Sequence, residues 1–351
     1  MNLQPVEKIA KAVLYEGYLL YPYRPSAIKN QRRFNFGAVY PEAYRRAGNP
    51  EPSALETQCL AEAREDGILQ VCLRFLRLVE RSVGKVPAAS SPGADTGPIE
   101  PVASLEVDGR VFQTWKEVEE NEIWTPTLPL KELCFRTMTH WFELPARQSV
   151  ELIQDHRGHL AGAVVRKTCA LRGSVSVSAL TLREGTCKLT LHVSNSSDCV
   201  ASPRTACEDV LPSSFLSTHL VLGVEGGAFV SLLDPPPDAQ ALASACSNSG
   251  LWPVLVGEAG ARDTLLCSPI ILYDYPQVAE ESPGDLFDAT EIDEILSLRI
   301  LTLTDDEKRE MRACDERGRA ILERTEALSP EHWSRLHAAV RSLEPLKETT
   351  P

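Results

Sequence analysis

No run of 18 consecutive apolar residues occurs in the 351-residue chain, so no membrane-spanning helix is expected. The amino terminus, Met1 to Lys11, sets Glu7, Lys8 and Lys11 where a secretory signal needs an unbroken apolar core. The ten cysteines never reach C-x-x-C spacing. Cys199 and Cys207, the nearest pair, lie eight apart in a polar stretch with no second ligand pair for zinc. There is no G-x-S-x-G elbow and no G-x-x-x-x-G-K-[ST] phosphate loop. Basic residues are in deficit, 36 Lys and Arg against 49 Asp and Glu, and the resulting net charge of −13 argues against a surface that coats nucleic acid or anionic membrane. These absences lead us to expect a soluble, cytoplasmic protein with reduced thiols, no cofactor, no nucleic-acid partner and no membrane insertion.

What is present suits a folded chain. At 43% hydrophobic and 24% charged, the sequence can bury a core, and its length fits one large domain or two modest ones. Val6, Ile9, Ala10, Val13 and Leu14 recur at helical spacing behind Pro5, with Gly17 placed to stop the helix. Pro22 and Pro25 then forbid regular structure. Gly67 to Val83 reads as a strand, with helix the competing reading because the run is long and lacks turn residues. Gly84 to Pro101, rich in Pro, Gly, Ser and Ala, reads as a flexible surface insertion.

Between 133 and 275 short apolar or alternating runs recur: 164–171, 174–182, 187–193, 215–224, 229–233, 252–256 and 264–273. Turn signals separate them, including Arg172-Gly173, Glu184-Gly185 and Gly226-Gly227. Repeated short strands without helices between them indicate an antiparallel sandwich-like sheet. Beyond Pro276 the pattern turns helical. A helix is expected behind Thr290, at 291–300. Thr304-Asp305-Asp306-Glu307 is a capping box for a helix to about Leu328, and Ser329-Pro330 opens another. The expected fold class is therefore α+β: an antiparallel β-sandwich-like core with an N-terminal helix and a C-terminal helical segment. Its expected parts are an N-terminal helix and basic aromatic segment (1–66), a β-rich core (67–276) carrying the insertion 84–101, and an acidic loop with helices (277–351).

Candidate chemistry is sparse. His156-Arg157-Gly158-His159 sets two imidazoles three apart, but the run follows Asp155 between strands and has turn chemistry, so we read a hairpin turn. Ser217-Thr218-His219 lacks a third orienting group for nucleophilic catalysis, and a hydrogen-bonded core histidine is the better reading. Gly223 to Gly227 has neither the Lys nor the helix of a phosphate loop and reads as a hairpin turn. Charge is polarised. From Arg24 to Arg46, Arg24, Lys29, Arg32, Arg33, Arg45 and Arg46 face Glu42 alone, a local +5, with Phe34 and Phe36 interleaved. From Glu280 to Glu307 ten acids face Arg299 alone, a local −9. We take Arg24, Lys29, Arg32, Arg33, Phe34 and Phe36 as the candidate partner-binding residues, with pairing to the acidic stretch of the same chain as the other use of those charges. Asp274, Asp285 and Asp288, with Glu281, are the carboxylates that would serve a metal-dependent hydrolase or bind a hard cation. They do not match the calcium-loop pattern, and acids at helix starts are the plainer reading.

Five stretches together resemble one family: Val13 to Arg24, Phe34 to Pro41, Phe229 to Pro236, Trp252 to Gly257, and Ser268 through Asp288 to Glu310. It is a family of uncharacterised bacterial proteins of about this length, encoded with aerobic hydrogen-uptake [NiFe] hydrogenases. The resemblance implies a non-enzymatic accessory or assembly protein whose partner is a hydrogenase subunit or maturation factor. It carries no catalytic residues. Residues 84–101 and the Cys199–Cys207 stretch look like insertions against the family pattern.

Overall fold

The computed structural model describes residues 4–18, 23–24, 27–31, 33, 36–86, 99–277 and 293–329. One strand, β1 (Ala54–Lys85), runs for 32 residues and takes partners along both of its edges. The other strands, in chain order, are β2 (Glu100–Val102), β3 (Ser104–Val107), β4 (Arg110–Gln113), β5 (Trp115–Trp124), β6 (Leu128–Pro129), β7 (Met138–Leu144), β8 (Arg147–Gln154), β9 (Leu160–Thr168), β10 (Leu171–Arg183), β11 (Thr186–Asn195), β12 (Leu216–Val230), β13 (Trp252–Leu255) and β14 (Thr264–Ser268). The helices are α1 (Gln4–Tyr15), α2 (Glu42–Arg46), α3 (Leu130–Leu133), α4 (Cys207–Val210), α5 (Gln240–Ser244), α6 (Asp293–Leu301), α7 (Asp305–Cys314) and α8 (Glu316–Glu326). The chain is α+β, and all but β3 and β4 hydrogen-bond into one 12-stranded sheet whose named pairings are antiparallel.

Residues that pair on both sides show how β1 is shared. Glu62 faces Thr186 of β11 and Ala228 of β12; Leu69 faces Leu128 of β6 and Val224 of β12; Arg81 faces Trp115 of β5 and Arg166 of β9. One edge therefore carries β11, β6, β5 and β2 in succession, and the other carries β12 and then β9. Beyond these, β10 and β7 extend the first edge, while β14 and β13, and β8, extend the second. Residues 54–66, assigned from sequence to the N-terminal segment, are the first 13 of this strand's 32 residues. A register shift between Ala63 and Ile68 bends it, opposite Gly226 at φ +71.

Two expected turns are strand interior for a steric reason. Gly226-Gly227 lies inside β12, where a Cβ on Gly227 would sit 2.6 Å from the Glu62 carbonyl oxygen. Arg172-Gly173 lies inside β10, where a Cβ on Gly173 would sit 2.7 Å from the Phe215 ring and 2.8 Å from that of Phe142. Those glycines admit close approach rather than a reversal of direction. The Phe75, Phe142 and Phe215 rings, with centroids 4.7–6.0 Å apart, fill the core on that side of the sheet. The segments 215–224 and 229–233 thus merge into one strand, and 164–171 divides at Cys169-Ala170 into β9 and β10.

The helical ends follow sequence closely. Val6, Ala10, Val13 and Leu14 of α1 are buried, and Gly17 adopts φ +72 after the helix. The capping box at Thr304 is formed, with the Thr304 hydroxyl accepting from Glu307 N–H and the Glu307 carboxylate accepting from Thr304 N–H at 2.8 Å. The expected single helix to Leu328 is broken at Asp315, which is fully extended and whose side chain accepts from Gly318 N–H at 2.8 Å, capping α8. Residues 87–98 of the expected insertion, and the helix expected beyond Ser329-Pro330, lie outside the described residues. The flanks of the insertion pair with each other, Gly84 with Pro101 and Lys85 with Glu100.

Three arginines of β1 fasten the rest of the chain to it. Arg74 and Arg77 are each 1% exposed. Arg74 donates twice to the Glu7 carboxylate of α1, at 3.1 Å each, and lies 3.1 Å from Glu122. Arg77 donates to the carbonyls of Cys169 (3.1 Å) and Pro145 (2.6 Å), the links from β9 to β10 and from β7 to β8, and to Glu119 at 3.2 Å. Arg81 donates to the Ala313 and Cys314 carbonyls at the end of α7, at 3.2 and 2.7 Å, and pairs with Glu117 at 2.6 Å. Glu7 apart, the carboxylates that pair with these arginines all come from β5: Glu117, Glu119, Glu120 and Glu122. Removing one guanidinium strands several buried acceptors at once. Arg77→Met is expected to lower the unfolding free energy by about 3–5 kcal/mol, read by urea denaturation. An effect under about 1 kcal/mol would show that those links are held by something else.

Candidate functional site

A cleft of about 910 Å³ opens where the β3–β4 hairpin, the sheet face of β5 and β9, and the helices α7 and α8 meet. The hairpin turns at Asp108-Gly109, both at positive φ (51° and 75°), a two-residue turn that delivers Arg110 to the rim. Its tip is fixed by Asp108, whose carboxylate accepts the backbone N–H of His156 and lies 2.7 Å from His156 Nδ1. That contact raises the His156 pKa. Asp155 in turn accepts from the N–H groups of Arg157 and His159, at 2.9 and 2.8 Å. The His156–His159 run is thus the exposed turn joining β8 to β9, and each imidazole faces its own carboxylate.

Seven arginines line the cleft against five acids. Arg81 and Arg166 come from the sheet, Arg110 from the hairpin, and Arg309, Arg312, Arg317 and Arg319 from the helices. Most are neutralised locally: Arg166 by Glu117 and Glu151, both at 2.8 Å, Arg309 by Asp306 and Arg312 by Glu326, again at 2.8 Å. Arg317 lies over the Tyr15 ring at 4.0 Å and 3.5 Å from Glu120. Arg110 stands over Phe112 at 5.3 Å, and Arg319 reaches only the Arg312 carbonyl, so neither is in an ion pair. At the base, the Tyr18 hydroxyl donates to Asp315. Burial, and then the charge of Asp315, hold the Tyr18 pKa well above its usual value, so it stays a donor. Arginines outnumber acids by two in the lining; Asp306, Glu326 and Glu120 just outside it offset that excess, and Arg110 and Arg319 are the guanidinium groups left unpaired.

The residues singled out from sequence are distributed differently. Arg24 pairs with Glu307 at 2.8 Å, so the basic segment and the end of the acidic stretch do touch. Arg33 is 8% exposed, stacked on Trp115 at 4.0 Å and near the Tyr18 ring at 5.3 Å, and donates to the Tyr18 and Lys116 carbonyls at 3.3 and 2.8 Å. Desolvation lowers its pKa. Lys29 and Phe36 are exposed; Arg32 and Phe34 lie outside the described residues. Asp274 accepts from the Ser231 hydroxyl and, at 2.8 Å, from Leu255 N–H, tying the chain after β14 to β12 and β13. Glu281, Asp285 and Asp288 lie outside the described residues, and among the described residues no group of three or more His, Cys, Asp or Glu is placed to hold a metal. All ten cysteines are free, and no described helix is long and apolar enough to cross a membrane.

His219 is a core histidine, as read from sequence. Its Nδ1 donates to the Ser217 carbonyl at 3.0 Å, and its buried Nε2 has no partner. The arginines of the cleft were the larger omission. Their sequence signal is the basic run Arg309, Arg312, Arg317, Arg319 directly behind the acidic stretch, which a charge count ending at Glu307 leaves out. Compared with protein-family models and with curated proteins, the chain matches none.

Two outcomes are expected. Arg33→Glu puts a carboxylate into a buried slot built for a cation and is expected to cost about 3 kcal/mol or more in a urea melt; a neutral effect would return Arg33 to the surface. Burial lowers the His219 pKa to about 4 from its ordinary 6.5, so the folded state keeps the neutral ring while the unfolded chain protonates. The stability contribution is whole above pH 6.5 and is lost as pH falls from 6.5 towards 4, by up to about 3 kcal/mol. The pH dependence of unfolding should be shallower by that amount in His219→Gln; identical slopes would contradict it.

Proposed function

We propose that the protein is a non-enzymatic accessory or assembly protein, and that the arginine cleft is where an acidic segment of a partner protein docks. The observation that carries this reading is the set of guanidinium groups in the cleft: seven arginines from five elements of a strongly acidic chain, of which Arg110 and Arg319 have no ion-pair partner. Guanidinium groups bind carboxylates bidentately, and a set of them at fixed positions selects an extended acidic segment. Such complementarity mainly sets specificity and association rate, as suits a transient assembly factor. The family resemblance supplies the class of partner, a hydrogenase subunit or maturation factor. On the N-terminal segment Lys29 and Phe36 are exposed, whereas Arg24 pairs with Glu307 and Arg33 is buried against Trp115.

The test is paired co-purification from the native organism with wild type and with Arg110→Glu plus Arg319→Glu. The double variant is expected to keep its melting temperature and to bind the recovered partner at least about tenfold more weakly. Equal recovery of the same partner by both proteins would overturn the assignment of the cleft.

A further inference from the structure

Arg81 also lines a second cavity, of about 650 Å³, which the docking reading does not use. Its wall includes Trp115, Arg33 and Leu211. Trp115 is 8% exposed, its ring stacks on Arg33 at 4.0 Å, and its indole N–H is buried without a hydrogen-bond partner. A buried donor left unpaired costs about 1–3 kcal/mol, so such a group next to an open cavity calls for an acceptor.

The neighbouring charges indicate what kind of acceptor. Glu80 of β1 pairs in register with Lys116 of β5 on one edge and Lys167 of β9 on the other, so the three side chains stand in a row across three strands and all line the cavity. One carboxylate stands between two ammonium groups, and no ion pair joins it to either. With Arg33 and Arg81 on the cationic side and Glu208 as the further acid, the described lining is positive by two charges. The volume lies in the range of small-molecule sites, and Trp115 and Leu211 supply apolar walls.

We propose that this cavity binds a small organic carboxylate with a flat apolar body. The carboxylate accepts the Trp115 indole N–H and lies beside Lys116 and Lys167, while the apolar body fills the space along Trp115 and Leu211. Charge alone would admit inorganic phosphate, but the largely apolar walls favour the organic acid.

The experiment uses the full ¹⁵N-labelled chain, with the Trp115 indole resonance assigned by its loss in Trp115→Phe, and titrates benzoate and, separately, inorganic phosphate. Benzoate is expected to shift that resonance saturably. Lys116→Glu plus Lys167→Glu, at a half-buried and an exposed position, should weaken the response at least about tenfold, and Arg110→Glu plus Arg319→Glu in the cleft should leave it unchanged. No saturable shift at about 10 mM benzoate would mean water alone satisfies the indole, and would overturn the proposal. So would an undiminished response in the lysine variant, or saturable binding of phosphate in place of benzoate. Because the cleft variant is the control, failure here leaves the docking reading standing, and failure of docking leaves this site untouched.

Discussion

Everything else in the structure depends on guanidinium groups buried along β1. Taking a cation out of water costs several kcal/mol unless its hydrogen bonds are replaced. Arg77 has two carbonyls and a carboxylate, and Arg81 two carbonyls at the end of a helix together with a carboxylate. The carboxylates lie on β5, and the carbonyls belong to three other parts of the chain. The same bonds that make burial tolerable therefore also fix where α1, the β7–β8 and β9–β10 links, and α7 sit against the sheet. A hydrophobic contact could supply comparable energy but not that directional choice of partner.

This arrangement also decides where the cleft can be. Arg81 reaches from the spine to the last carbonyls of α7, which brings the helical arginines over the sheet and opposite Arg110 of the hairpin. The same residue also lines the cavity at Trp115. Net charge, −13 for the whole chain, thus describes neither site. The basic N-terminal segment meets the acidic stretch at Arg24 and Glu307, and Arg33 is used in packing, whereas Arg110 and Arg319 in the cleft are outside any ion pair.

Legibility in the sequence followed the source of each element's stability. Helices α1, α6 and α7, and the strands between Leu160 and Ser268, bury apolar residues at regular spacing and were readable. The 104–124 region was not, because β5 is Trp-Lys-Glu-Val-Glu-Glu-Asn-Glu-Ile-Trp, a strand held by glutamates that answer arginines some forty residues earlier. No local hydrophobic pattern announces such a pairing. Gly173 and Gly227 misled for a related reason: they make room for a neighbouring ring or carbonyl that only the tertiary fold supplies. The break at Asp315 was in principle visible, since Asp with Gly318 three residues later fits a cap, but the helical periodicity on either side obscured it. Of the candidate site residues, Lys29 and Phe36 are exposed, whereas Arg33 shows that a basic, aromatic sequence can be a packing motif as readily as a docking one.

The central claim is that one strand makes the two halves of the sheet a single cooperative unit. Amide hydrogen exchange along β1, measured as a function of low urea, tests it directly. Amides at 58–62, paired with β11 and from Leu60 also with β12, and at 76–81, paired with β5 and from Glu80 also with β9, should exchange through one global opening with a common free energy and a common urea slope. Separate openings with distinct slopes on either side of the Ala63–Ile68 bend would contradict it.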